Sequence, residues 1–288
     1  MGDVLAGFHA AWEFASDSVH IRFERGIRTP KLFQALVERR VPHEAITAVT
    51  LTPGRRGTVV LHAVPRPGAD PLMDAAAGQL KEASDPYRLV LPVERATLAE
   101  YYADELRPLL ARDSPVRSAG RYLVAPPAPP LTFKAYDGKA AFDGTAVSYR
   151  WSWTGASSTK WKAGDQKFAV ADLSGVEWRS PELFEGHLRL LRRDEPGPTG
   201  QADQDPAAVV FGLGYGPVHE SLPFAASVLA AVRSAGPVVS VPAQHSPSGG
   251  RDPADIADRI RHLGELHQAG LITDEEFHSK KAELLAEL

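Results

Sequence analysis

Two His-Glu pairs, His43-Glu44 and His219-Glu220, are the residues of this chain closest to a hydrolytic metal motif. A helical HExxH sets two imidazoles one turn apart on one face, with the carboxylate between them as general base. Neither pair is followed by the second histidine, and each is read as a polar cap at a turn or helix start. The ten histidines are scattered without metal-ligand spacing, and no GxSxG nucleophile elbow occurs. The absence of cysteine excludes thiol catalysis, Cys-based zinc sites and disulfides. The glycine-rich "FGLGYGP" at 211–217 lies between a strand-like and a helix-like stretch, where phosphates are often cradled. It spaces as GxGxG, without the GxGxxG pattern or a Walker lysine, and is read as a tight turn. The expectation is a protein that is not an enzyme and uses no cofactor or metal.

Two stretches have the chemistry of contact rather than catalysis. "YRWSWTGASSTKWK" at 149–162 interleaves three tryptophans with Arg150, Lys160 and Lys162. Such a mixture suits single-stranded nucleic acid or a membrane interface, but Tyr149, Trp151 and Trp153 also share one face of a strand. Tyr149 and Trp151 are read as core, and Trp153 and Trp161 as exposed contact aromatics. "RFERGIRTPK" at 22–31 gathers Arg22, Arg25, Arg28 and Lys31 near an early turn, interrupted by Glu24. A solvated charged face is the reading, with an anionic lipid surface as the alternative.

These residues are carried by a repeat. At an offset of 128, Phe14 meets Phe142, Val19 meets Val147, Ile21 meets Tyr149 and Phe23 meets Trp151. Trp153 then meets Arg25, a residue type rarely buried in full, which is why Trp153 is expected outside the core. At an offset of 127, Ile46 pairs with Leu173, Val49 with Val176 and Leu51 with Trp178. "TVVLHAV" (58–64) then resembles "GHLRLLR" (186–192), and "DPYRLVL" (85–91) resembles "DPAAVVF" (205–211). Four blocks in one order identify two copies of one domain.

Alternating apolar residues over 18–23 and 146–153 predict half-buried strands, with further short strands to about residue 91 and about residue 213. Each series ends in a helix, 97–110 and 218–232, and Leu98, Tyr102, Leu106 and Leu109 are expected on the buried face of the first. The predicted fold class is mainly β (α+β): two partly open antiparallel barrels, each plugged by its C-terminal helix. Domains are expected at 1–112 and 131–235, joined by a Pro-rich spacer at 113–130, with a flexible linker at 236–252 and a helical hairpin at 253–288.

The hairpin explains itself. Asp252 and Pro253 start one helix, whose Ile256, Ile260, Leu263 and Leu266 form a narrow apolar seam ending at Gly270. Thr273 and Glu276 make a capping box around the next, and Ile272 and Phe277 the accompanying hydrophobic staple. Phe277, Leu284, Leu285 and Leu288 supply the second seam. Helices this short are marginal alone, and two make too little core to be stable by themselves. The seams therefore predict a partner surface, foremost the same tail in another subunit, giving a homo-oligomer.

The net charge of −4 gives no global basic field for nucleic acid, and no nucleic-acid partner is expected. Nine acidic and four basic residues from Asp252 to Leu288 put −5 on the tail. The first residues lack the basic and apolar regions of a signal peptide, and no apolar run is long enough to span a bilayer. The expected location is the cytoplasm.

The sheet-then-helix repeats with "VPHEAITAVTL" resemble bacterial pleckstrin-homology-like domains, with Val41, Pro42, Ile46 and Val49 in the places of a recurrent strand-entry motif. The tandem arrangement with a helical tail is similar to tandem PH-like proteins of high-GC bacteria. "DIADRIRHLGELHQAGLITDEEFHSKKAELL" (255–285) resembles the short C-terminal domain, SHOCT. The first resemblance implies a binding domain, in whose eukaryotic relatives a basic loop takes lipid headgroups. The second implies a module of oligomerisation or protein contact with no catalytic residue. Together they imply a self-assembling scaffold with an unidentified protein partner, or alternatively a peripheral membrane adaptor.

Overall fold

In the computed structural model, which describes residues 3–110, 121–194 and 200–236, the chain opens as an antiparallel four-stranded sheet. Its strands, in spatial order, are β1 (Asp3–Ala6), β2 (Ala10–Phe14), β3 (Ser18–Phe23) and β4 (Glu38–Pro42). Val19, Ile21 and Phe23 point inward and are buried, as period-2 spacing requires. Helix α1 (Lys31–Leu36) fills the excursion between β3 and β4. A three-stranded sheet follows: β5 (Ile46–Pro53), β6 (Thr58–Pro65) and β7 (Arg88–Pro92), with helix α2 (Pro71–Ala76) inside the β6–β7 connection. Helix α3 (Ala96–Leu106) closes the series.

The second copy repeats this plan. Strands β8 (Leu131–Lys134), β9 (Gly138–Phe142), β10 (Ala146–Trp151) and β11 (Gln166–Ala169) form one sheet, with helix α4 (Ser158–Ala163) between the last two. Strands β12 (Leu173–Arg179), β13 (His187–Arg192) and β14 (Ala208–Val210) form the other, and helix α5 (Val218–Ser234) ends the copy. Among the described residues the fold is mainly β, four antiparallel sheets with few helices, and no sheet closes into a barrel. The tail residues Ile256, Ile260, Leu263, Leu266, Ile272, Phe277, Leu284, Leu285 and Leu288 lie outside the described residues.

The duplication extends to individual hydrogen-bond partners. Asp3 faces Phe14 and Ala10 faces Phe23, and 128 residues later Leu131 faces Phe142 and Gly138 faces Trp151. Both three-stranded sheets shift register at the same place, between Ile46 and Ala48 and between Leu173 and Gly175. The Asp-Pro pairs are the same turn: Asp85 accepts from Tyr87 N at 2.9 Å, and Asp205 from Ala207 N at 2.8 Å. One corner bond also recurs, from Phe8 N to Val90 O at 2.7 Å and from Tyr136 N to Val210 O at 3.0 Å.

The expected face of α3 is corrected by one position. Ala99, Tyr102, Ala103 and Leu106 are buried, while Leu98 and Leu109 are exposed. The sheets admit two alanines at close approach where leucines were expected to plug. Helix α5, by contrast, is buried nearly all round. One face carries Phe224, which meets Phe133 edge-on at 5.0 Å. The other is covered by α1 and α2 of the first copy, whose Leu32, Leu72, Ala75 and Ala76 join the second core.

This cross-copy packing makes Met1–Pro237 one compact unit. Beyond α2, the Gln79 side chain acts as a surrogate strand on the open edge of β12. Its Nε2 donates to Trp178 O at 3.0 Å, and its Oε1 accepts from Ser180 N at 2.8 Å. Arg233 of α5 donates to Gly68 O at 2.8 Å and lies 4.2 Å over the Tyr122 ring. Within the Pro-rich stretch, Leu123 N and Val124 N both donate to Ala69 O at 3.0 Å. Val124 enters the first core at 1% exposure, so this part of the connection is strapped down by packing.

Candidate functional site

The loops after β3 and β10 are equivalent in the two copies and opposite in chemistry. In the first, Arg22, Arg25, Arg28 and Lys31 are all exposed, and Arg22 is engaged by Glu13 at 2.8 Å. In the second, Trp153 is 81% exposed and Trp161 on α4 is 50% exposed. Their rings meet edge-on, 5.5 Å apart at 87°. Two tryptophans packed edge-on at the surface leave apolar area in water, which is unfavourable until it is covered. Tyr149 is fully buried and Trp151 half-buried beside it, 5.9 Å between rings.

A buried ion pair fixes this loop. Lys160 of α4 reaches inward, fully buried, and its Nζ lies 2.5 Å from Asp137 Oδ2 in the β8–β9 turn. The other carboxylate oxygen accepts from Val210 N at 3.0 Å, so one aspartate ties α4, the turn and β14 together. The ammonium also sits 5.1 Å over the Trp151 ring, whose Nε1 donates to Gly164 O at 2.7 Å. Burial pulls the Lys160 ammonium below its usual pKa and pushes the Asp137 carboxyl above its own, and each is opposed by the partner's charge. Ser157 caps α4 and donates to Asp203 O at 2.7 Å, which holds the outer end.

The first copy has its own buried polar centre. Arg39 Nη2 and Tyr87 OH each donate to one oxygen of Asp70, both at 2.7 Å, and all three residues are buried. Asp70 also accepts from Leu72 N at 2.9 Å as the N-cap of α2. Burial and the Asp70 charge push the Tyr87 hydroxyl well above its usual pKa, which keeps it a donor. The centre therefore orients the helix that covers α5.

The other motif residues fall at structural positions. His43-Glu44 lies in a short 3-10 turn and His219-Glu220 in the first turn of α5, and neither side chain makes the expected capping bond. "FGLGYGP" is the turn from β14 into α5. Gly216 has φ +63°, and a Cβ there would meet Phe211 Cδ1 at 2.1 Å. Among the described residues no group of three His, Cys, Asp or Glu side chains is arranged to hold a metal. Among the described residues no helix is long and apolar enough to cross a membrane.

Sequence reasoning missed Asp137, Lys160, Asp70 and Gln79. Lys160 stood with Arg150 and Lys162 in the candidate aromatic-basic surface, and the register of α4 turns Lys160 inward while leaving Lys162 exposed.

The sequence matches the Domain of unknown function DUF4429 twice, at residues 12–107 and 140–229, and the Short C-terminal domain at 258–285. No curated protein matches the chain. With well over half of its length in the two copies, the chain belongs to the DUF4429 family, as a tandem of that domain followed by a short C-terminal domain.

Proposed function

We propose that this protein is a non-enzymatic cytoplasmic adaptor that self-assembles through its C-terminal tail and uses the tandem body, two PH-like folds, for protein contacts. The observation that carries the reading is the Trp153–Trp161 pair, exposed on a loop that a buried ion pair holds in place. Rigid aromatics supply contact area at low entropic cost and are typical anchors of binding surfaces. The polar centres around Asp70 and Asp137 are consumed by the framework, leaving the exposed loops for recognition. The plan of four strands, three strands and a helix in each copy, with the 3-10 turn entering β5 and β12, supports the PH-like resemblance. The seams of Ile256, Ile260, Leu263 and Leu266 and of Phe277, Leu284, Leu285 and Leu288 supply the self-association surface.

Light scattering on the full chain and on a chain lacking 252–288 tests the reading. A multimeric mass that falls on deletion is the expected result. A monomeric mass unchanged by deletion overturns self-association through the tail.

A second reading, a peripheral membrane adaptor, is favoured by the same tryptophans, since exposed indoles beside Arg150 and Lys162 suit a lipid–water interface. The loop of Arg22, Arg25, Arg28 and Lys31 is the alternative lipid contact. Co-sedimentation with anionic vesicles, lost in Trp153→Ser/Trp161→Ser or in Arg25→Glu/Arg28→Glu, separates the two loops.

A further inference from the structure

Three cations stand side by side across the second copy's four-stranded sheet. Lys134 on β8 is the cross-strand partner of Lys139 on β9, and Lys139 is the partner of Arg150 on β10. Directly paired residues of antiparallel strands share a face at about 5 Å between Cβ atoms, and like charges placed so are destabilising. All three are exposed. Among the described residues no hydrogen bond or ion pair engages the Lys134 or Lys139 side chain. Arg150 has only Asp165, at 3.5 Å, with both side chains well exposed.

The row lines one wall of a shallow concavity of about 370 Å³. Tyr136 and Tyr215 form its end, edge-on at 6.2 Å, and Ser152 and Thr154 line it with hydroxyls. The glycine-rich turn is brought here by Gly216 N, which donates to Lys134 O at 2.7 Å and carries Tyr215 to the rim. The first copy is an internal control. The positions equivalent to Lys134, Lys139 and Arg150 are Ala6, Ala11 and Arg22, and Arg22 is neutralised by Glu13 at 2.8 Å. The second copy's sheet therefore carries two unpaired cations that the first copy's lacks, at a cost to stability that an anion would remove.

We propose that the concavity between Lys134, Lys139 and Arg150 binds a phosphate-bearing ligand, with the ammonium and guanidinium groups on the phosphate oxygens and the two tyrosines flanking the rest. Charge-assisted hydrogen bonds from Lys and Arg are the strong ones available to a phosphate. The site lies wholly on the second copy and involves no residue of the tail, so it does not depend on assembly.

Thermal midpoints of the full chain, titrated with inorganic phosphate against sodium chloride of equal ionic strength, test the proposal together with co-sedimentation on phosphatidylglycerol and phosphatidylcholine vesicles. The expected result is a midpoint that rises with phosphate, saturably, or selective binding to phosphatidylglycerol vesicles. Lys139→Ala/Arg150→Ala should weaken either response at least tenfold, while Arg55→Ala, an exposed arginine in the β5–β6 turn of the first copy, leaves it intact. A response to free phosphate assigns a soluble ligand, and one confined to vesicles assigns a lipid headgroup. A double variant that fails to fold is replaced by Lys139→Ala alone. Equal responses of wild type and variant, or no response of the wild type to either probe, overturn the site.

Discussion

Arg39 and Asp70 meet inside the first copy at 2.7 Å with side chains 4% and 1% exposed, and through them the core of one repeat orients the helix that buries the other. The same carboxylate accepts from Tyr87 OH and caps α2. Removing it leaves a buried guanidinium without its counter-charge and a helix without its cap. Asp70→Ala should therefore cost about 3–5 kcal/mol in denaturant unfolding. Replacing both charges, as Arg39→Met/Asp70→Leu, should recover only part of the loss, because Tyr87 OH and Leu72 N still lack an acceptor. A cost for Asp70→Ala within that of an average surface change would mean the pair is incidental.

Gln79 is predicted to be the weakest point of the cross-copy seam. Its amide satisfies Trp178 O and Ser180 N at the end of β12, and Ser180 is 1% exposed. Gln79→Ala leaves that buried amide without a partner, at about 1–3 kcal/mol. Hydrogen exchange reads this locally: the Ser180 amide should lose protection, while the amides of β2 and β3 in the first copy keep theirs. Uniform loss across both copies would show the seam to be inseparable from global unfolding.

The repeat and its strands were legible because a half-buried strand writes its pattern in steps of two. Val19, Ile21 and Phe23 and their counterparts Val147, Tyr149 and Trp151 therefore marked both depth and register. The face of α3 was less legible: leucines at 98 and 109 outweighed alanines at 99 and 103 in any hydrophobicity count, but close helix–sheet approach selects for size. The exposure of Trp153 followed from its pairing with Arg25. Asp70, Asp137, Lys160 and Gln79 gave no signal, since a buried ion pair depends on two distant residues whose spacing only the tertiary fold defines. The cation row was hidden for the same reason, as Lys134, Lys139 and Arg150 become neighbours only through strand pairing.

Acidification should destabilise the body below about pH 6.5. Burial lowers the His43 pKa from 6.5, against the opposing charge of Asp17, and burial is also the leading cause for His62 and His219. A base with a folded pKa below its unfolded value is bound to fewer protons when native. Stability is then full above pH 6.5 and falls as the pH drops from there through the folded pKa. The thermal midpoint should decline between pH 7 and pH 5, and His43→Gln should shallow that decline. An identical slope in the variant would assign the acid sensitivity to the other groups.

Trp153 and Lys160 lie seven residues apart and should respond to substitution in opposite ways. Trp153 is the larger side chain, but at 81% exposure its removal takes little apolar area out of the folded state. Trp153→Ser is expected to change stability by no more than about 0.5 kcal/mol. Lys160 is a residue type normally found in water, yet here it is fully buried against Asp137 and the Trp151 ring. Lys160→Ala strands the Asp137 carboxylate and opens a void under α4, for a loss of about 3–5 kcal/mol. Denaturant unfolding of the two variants gives the comparison, and tryptophan fluorescence gives its location. Lys160→Ala should loosen the loop and release the Trp153–Trp161 contact, whereas Trp153→Ser should leave the Trp151 environment unchanged. If Trp153→Ser proved the more destabilising, the indole would belong to the framework, and the contact surface would have to be sought elsewhere on the body.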